Sequence, residues 1–305
     1  MKKTAKIGCL TMAVLLAVAV TFTGALTWRA FLKLKRASEQ SHPVLGWEDV
    51  RFLADVSYDG EPAGGGSARK LDLFLPQEGG PWPVAIVVHG GAFMFEHKGT
   101  LANVGVALAR HGVAAAVVDY RLIPEAWPPN QARDVAQATA FVHARAAEYG
   151  IDPSRMYLVG HSAGAFLAAM ALLWPEGLDA AGVPREAVRG AALISGFYDI
   201  MQAPMPRRLL VGPWPPNWAA DSPITYVRAD TPPILILHAE TDLKRPAPVE
   251  ASSRAFFDAL QAAGAPVTMK VIAGADHASI AGDIGRRLSE TLDLLLAMMR
   301  PEAAD

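Results

Sequence analysis

Met156-Tyr157-Leu158-Val159-Gly160-His161-Ser162-Ala163-Gly164-Ala165-Phe166-Leu167 is the stretch that decides the fold. Met156–Val159 is a short apolar run, the pattern of a strand covered on both faces. Ala163–Leu173, rich in alanine and leucine, reads as a helix. One sharp turn, Gly160 to Gly164, joins the two and lifts the Ser162 hydroxyl above the strand in a strained backbone conformation. Glycine at 160 and 164 removes the β-carbons that would clash there. The helix start then aims backbone N–H groups and the positive end of its dipole at the same place. G-x-S-x-G alone occurs by chance; between a buried strand and a helix it marks Ser162 as a nucleophile.

Outward from this turn the chain keeps one rhythm. Val50–Ser57 and Lys70–Leu75 alternate like half-buried strands, separated by Asp59-Gly60 and Gly64-Gly65-Gly66, a hairpin-like opening. Val84–Val88, Val113–Val118, Ala191–Ile194, Ile234–Leu237 and Val267–Ile272 supply further strands. Leu101–Arg110, Gln131–Glu148, Ser252–Ala263 and Ile284–Met299 supply helices, the second stopping at Gly150 and the third at Gly264. The class is α/β: an eight-stranded, mostly parallel sheet with helices on both faces after an antiparallel start. Tyr198–Asp221, with its prolines and two tryptophans, breaks the rhythm and reads as a short cap over the sheet's C-terminal edge, where ligands bind in open α/β folds. No internal repeat shows.

A serine hydroxyl needs a base to take its proton during attack. Of eight histidines, His277 follows the last strand in Gly274-Ala275-Asp276-His277 and is the choice, because the order serine, acid, histidine puts the base last. His238 is its main competitor. His42, His97, His111 and His143 read as surface residues, His89 as a turn former, and His161 as an elbow residue whose side chain points away from the hydroxyl. The acid belongs on the loop after Ile234–Leu237, which offers Glu240 and Asp242; Asp242 is preferred, to orient the imidazole and stabilise the imidazolium. Asp276, Asp199, Asp119 and Asp134 are set aside, the last two as structural. For the oxyanion, His89-Gly90-Gly91-Ala92 directly after a strand supplies backbone donors: Gly90 and Gly91, with Ala163 after the nucleophile.

Composition excludes other classes. Hydrophobic residues make up 51% and charged ones 19%, so the chain is not disordered. Residues 1–36 carry Lys2, Lys3, Lys6, Arg29, Lys33, Lys35 and Arg36 and no acid, leaving 30 acidic against 21 basic residues in the rest. An acidic body argues against a nucleic-acid partner. The single cysteine, Cys9, rules out an internal disulfide, a cysteine zinc site and a two-cysteine redox motif. Ile7–Leu26 is uncharged and mostly apolar. Twenty residues at about 1.5 Å each match a hydrocarbon core of roughly 30 Å. Two expectations stand for residues 1–36: a single-span membrane anchor, favoured by length and by Trp28, or a cleaved export signal ending near Thr23-Gly24-Ala25. Both put the protein at or beyond a membrane. Residues 37–305 form one catalytic domain.

Taken together, His89-Gly90-Gly91, Asp119-Tyr120-Arg121-Leu122-Ile123-Pro124-Glu125-Ala126, Tyr149-Gly150-Ile151-Asp152-Pro153-Ser154-Arg155, the Ser162 elbow, Ser222-Pro223-Ile224, Asp242 and Gly274-Ala275-Asp276-His277 form a co-linear set. It resembles the α/β-hydrolase superfamily, in its carboxylesterase/lipase group with hormone-sensitive-lipase-type, feruloyl-esterase-like and kynurenine-formamidase-like members. The resemblance covers Lys70 to Met299. It implies hydrolysis of a small-molecule ester through an acyl-serine, with no metal or organic cofactor. Two departures stand out: Ala92 where a third glycine is frequent, and Lys244-Arg245 after the acid, for which no role is assigned. The same triad opens amides, so aryl formamidase activity is the alternative. A catalytically silent, membrane-tethered binding protein is a third reading, which the complete set of nucleophile, acid, base and donors speaks against. Trp214, Trp218, Phe93, Met94 and Phe95 either wall a substrate pocket or make a local core.

Overall fold

Apolar runs without polar alternation become the inner strands of one sheet, and the amphipathic stretches between them become its covering helices. The computed structural model describes residues 46–60, 68–202, 217–244, 248–285 and 289–300. In chain order its strands and α-helices are β1 (Arg51–Ser57), β2 (Lys70–Leu75), β3 (Trp82–Val88), α1 (Ala102–Arg110), β4 (Ala114–Val118), α2 (Pro128–Ala144), α3 (Ala146–Tyr149), β5 (Ile151–His161), α4 (Ala163–Leu173), β6 (Val188–Ile194), β7 (Ile234–Ala239), α5 (Pro248–Ala262), β8 (Val267–Ile272), α6 (Ser279–Gly282) and α7 (Glu290–Met299). The eight strands lie in the order β1-β2-β4-β3-β5-β6-β7-β8. β2 pairs antiparallel with both β1 and β4, and every other pairing is parallel, so β2 alone runs against the rest.

The period of two sorts side chains to the two faces. Val84, Ile86 and Val88 join a core with helices α2, α4 and α5; Ala85 and Val87 join a second core with α1 and α7. Helix α4 is buried at all eleven positions. Its lack of a polar face marks a central helix, and each large side chain it buries contributes about 1.5–3 kcal/mol.

Boundaries moved where local chemistry outweighed pattern. The helix expected at Gln131–Glu148 begins at Pro128, since Pro128-Pro129 fits the first turn, and it divides at Arg145 before Gly150 ends α3 with φ +72°. β5 starts at Ile151, which pairs with Trp82 ahead of the apolar run. The last helix begins at Glu290, not Ile284. Gly285 turns the chain at φ +78°, and Ser289 caps the helix by accepting from the Leu292 N–H.

Among the described residues no helix is long and apolar enough to cross a membrane. The expected anchor or leader at residues 1–36, Gly64-Gly65-Gly66, Trp214 and Arg245 lie outside the described residues.

Candidate active site

Five strand ends meet along one edge of the sheet. β3 runs out into His89, β5 into Ser162, β6 into Ser195, β7 toward Asp242 and β8 toward His277. The parallel register sets Val88 beside Gly160, Gly160 beside Leu193 and Ile194 beside Leu237, so loops far apart in sequence rise side by side.

Ser162 adopts φ +55° and ψ −118°, a strained conformation for a residue with a side chain. Its N–H is tied to the Ile194 carbonyl at 2.8 Å. The flanking glycines are sterically required: a β-carbon on Gly160 would lie 2.3 Å from the Gly164 carbonyl oxygen, and one on Gly164 would lie 2.1 Å from that of Val88. The helix therefore sits directly on β3.

The structure brings the three predicted side chains together. His277 Nε2 lies 3.0 Å from Ser162 Oγ, and its Nδ1 lies 3.0 Å from Asp242 Oδ1. Asp242 is buried, which pushes its pKa up, yet hydrogen bonds from His277 and Ser195 outweigh burial and hold the carboxyl below its ordinary value. Its second oxygen accepts from Ser195 Oγ at 2.5 Å and from the Ala239 N–H at 3.3 Å.

The rejected candidates have other work. Glu240 accepts from the Gly274 N–H at 2.9 Å and so ties the acid loop to the histidine loop, helped by Thr241 N–H on the Ala275 carbonyl. Asp276 accepts from the N–H groups of Ala278 and Ser279 and shapes the turn after the histidine. His238 is buried, its ring nitrogens meet no hydrogen-bond partner among the described residues, and burial lowers its pKa.

His161 has a task the sequence did not disclose. Its side chain turns from the hydroxyl, and its Nε2 bonds the backbone carbonyl of His277 at 2.7 Å. Burial, with the nearby His277 charge, lowers its pKa to about 4, so the neutral ring donates Nε2–H to that carbonyl. Ser195 was missed as well. A serine at φ +51° after β6 has no sequence signature, and only the β6–β7 pairing puts it on Asp242.

The loop His89–His97 is held rigidly. The His89 ring stacks on Tyr120 with centroids 4.4 Å apart, and Tyr120 Oη donates to the carbonyls of His89 and Gly90. Burial lowers the His89 pKa to about 3. Asp119 Oδ1 accepts the Lys98 N–H at 2.5 Å, while Lys98 Nζ reaches Asp55 and Asp72 at 2.8 and 3.4 Å. Burial raises the Asp119 pKa to about 7.

Gly91 takes φ +84°, and a β-carbon there would strike the Phe95 carbonyl at 2.1 Å; Ala92 stands exposed at φ +51°. A β-carbon on Gly90 would come 3.1 Å from that of Ser162, so its backbone borders the nucleophile. The Gly90 N–H, expected as an oxyanion donor, instead donates to the Glu96 carboxylate, whose pKa burial raises while Thr100, His277 and Gly90 pull it back. Phe93 belongs to the core, edge-on to Phe166 at 5.5 Å, whereas Met94, Phe95 and Trp218 are half-buried. Most of the expected cap, residues 203–216, lies outside the described residues; beyond it Ser222 donates to the Trp218 carbonyl at 2.5 Å and accepts from the Ile200 N–H at 3.0 Å.

Residues 71–181 match the BD-FAE family model. A rice protein (Oryza sativa subsp. japonica) named probable isoprenylcysteine alpha-carbonyl methylesterase is 32% identical over 236 residues, 70% of this chain and 55% of its own length. Kynurenine formamidase of Danio rerio is 28% identical over 259 residues, 81% of this chain and 80% of its own. Among solved structures, a bacterial heroin esterase superposes with a TM-score of 0.66 at 26% identity, covering 84% of this chain and 86% of that one. The chain spans about half the length of the first curated relatives it matches. Sheet order, elbow turn and relatives agree: the chain has the α/β-hydrolase fold.

Proposed function

We propose that the protein is a serine hydrolase that cleaves carboxylic esters of small molecules through an acyl-serine. The observation that carries this is the imidazole of His277 within 3.0 Å of both Ser162 Oγ and Asp242 Oδ1. Ser162 Oγ attacks the ester carbonyl while His277 Nε2 takes its proton, and Asp242 stabilises the imidazolium. Negative charge on the carbonyl oxygen falls to the N–H groups of Gly91 and Ala163; Gly90 supplies the close backbone approach. The imidazolium protonates the leaving alcohol, and water, deprotonated by the same ring, releases the acid and restores the serine.

Labelling with a fluorophosphonate tests the nucleophile: the wild type takes up the probe, and Ser162→Ala takes up none and loses ester turnover by ~10⁴-fold or more. The 28% identity to a kynurenine formamidase supports amide cleavage as the second reading. The ratio of kcat/KM on a nitrophenyl ester and an aryl formamide separates the two; a ratio favouring the formamide overturns the ester assignment. The charge pattern and apolar run of residues 1–36 support delivery to a membrane or export. Sequencing the N-terminus of the mature protein tests that.

A further inference from the structure

We propose that Tyr120 is a positioning residue of the oxyanion site: its hydroxyl sets the direction and the donor strength of the Gly91 N–H. The inference rests on the ester-hydrolase reading above and adds a side chain behind the backbone donors. A trans peptide is planar, so the carbonyl of one residue and the N–H of the next point opposite ways from one rigid unit. Whatever holds the Gly90 carbonyl therefore aims the Gly91 N–H. Tyr120 Oη lies 2.8 Å from that oxygen and 3.0 Å from the carbonyl oxygen of His89, and shares its one proton between them. His89 Nδ1 lies 3.2 Å from the same Gly90 oxygen. Burial lowers the His89 pKa to about 3, so the ring is neutral and carries a single N–H. Its Nε2 is 3.6 Å from Asp119, too far for a hydrogen bond, which leaves the proton on Nδ1 and gives the Gly90 carbonyl a second donor.

The next carbonyl, that of Gly91, accepts from the N–H groups of Met94 at 3.0 Å and Phe95 at 2.8 Å. Both peptide units that meet at Gly91 are thus held by their oxygens. The Gly90 N–H is taken by Glu96, whereas the Gly91 N–H has no acceptor among the described residues. Tyr120 is buried, so the Gly90 carbonyl points into the interior and the Gly91 N–H points away from it, on the segment that borders the Ser162 β-carbon. Gly91, Ala92, Phe93 and Glu96 all hold φ between +51° and +84°, a strained path for the three with side chains, and a loop released from its clamp relaxes and turns the donor. A hydrogen bond weakens steeply as it bends, so direction matters. Donors on a carbonyl also polarise the amide and strengthen the N–H on its far side. Both effects act on charge that develops only during attack. The stack on His89 needs a ring; reaching the two carbonyls needs the hydroxyl.

The test uses the full chain, Tyr120→Phe, and a matched pair of substrates, nitrophenyl butyrate and its thionoester, in which sulfur replaces the carbonyl oxygen. Sulfur accepts hydrogen bonds poorly, so the thionoester draws little on the backbone donors. In Tyr120→Phe kcat/KM on the ester falls about tenfold or more, while that on the thionoester falls less than about threefold. The ratio of the two therefore shrinks. The acid limb of the pH profile stays where it is, because His277 and Asp242 are untouched. If both substrates slow equally, or neither slows, the hydroxyl only fills space and the proposal falls. Should Tyr120→Phe fail to fold, 3-fluorotyrosine placed at position 120 keeps the shape with a stronger donor; the ester-to-thionoester ratio then rises above that of the wild type, and an unchanged ratio overturns the proposal. Absence of turnover of both substrates and of fluorophosphonate labelling in the wild type overturns the hydrolase reading itself, a distinct result.

Discussion

Asp242 holds three hydrogen bonds, and each has a separate consequence. Losing the charge in Asp242→Asn leaves His277 in the wrong tautomer, with an expected fall in kcat of ~10⁴-fold. Ser195→Ala keeps the His277 and Ala239 partners and removes a charge-assisted bond, so kcat falls about tenfold with KM unchanged. Steady-state kinetics on a nitrophenyl ester checks both, and a Ser195→Ala enzyme as fast as wild type removes Ser195 from the site. Ser162, Asp242 and His277 were legible because each follows a strand that composition marks and their order along the chain is informative. Ser195 and His161 were not. Their roles depend on which strand lies beside which and on where a ring turns, and neither is written locally in the sequence.

The turn from β5 into α4 is packed without room for a β-carbon at either flanking glycine. Gly164→Ala drives a β-carbon into the Val88 carbonyl at 2.1 Å. Helix or strand must shift, costing about 1–3 kcal/mol and displacing the nucleophile, so thermal stability and activity fall together. Phe166→Ala, deeper in the same helix, is expected to cost about 3–5 kcal/mol in urea unfolding. Phe166 is fully buried against Phe93 and Phe197. Elements with long apolar runs could be read almost to the residue, as α4 was. Ends set by a cap or a turn could not: Ser289 begins α7 through one side-chain bond, and a run from Ile284 hides Gly285.

Stability of the whole molecule depends on pH through buried groups with opposite signs. His161 has a folded pKa of about 4 against 6.5 for the free side chain. Between those values the unfolded chain binds the proton and the native one does not, so stability rises with pH across the window and is lost on acidification, by about 3 kcal/mol in full. Asp119, with a folded pKa of about 7 against 3.8, works the other way: the native state binds the extra proton and stability falls as pH rises. Urea unfolding at pH 4.5, 5.5 and 6.5 checks the signs. His161→Asn removes up to one proton from the positive slope, about 1.4 kcal/mol per pH unit, and Asp119→Asn makes the slope more positive. Equal slopes in all three proteins would refute both assignments.

Strand β1 lies at one edge of the sheet, pairs with β2 alone, and its register slips between Leu53 and Val56. Mechanical load applied to the chain ahead of residue 46 therefore meets this edge seam first. That seam peels one hydrogen bond at a time, while β5 to β8, which present the serine, acid and histidine, stand on the far side of three intervening strands.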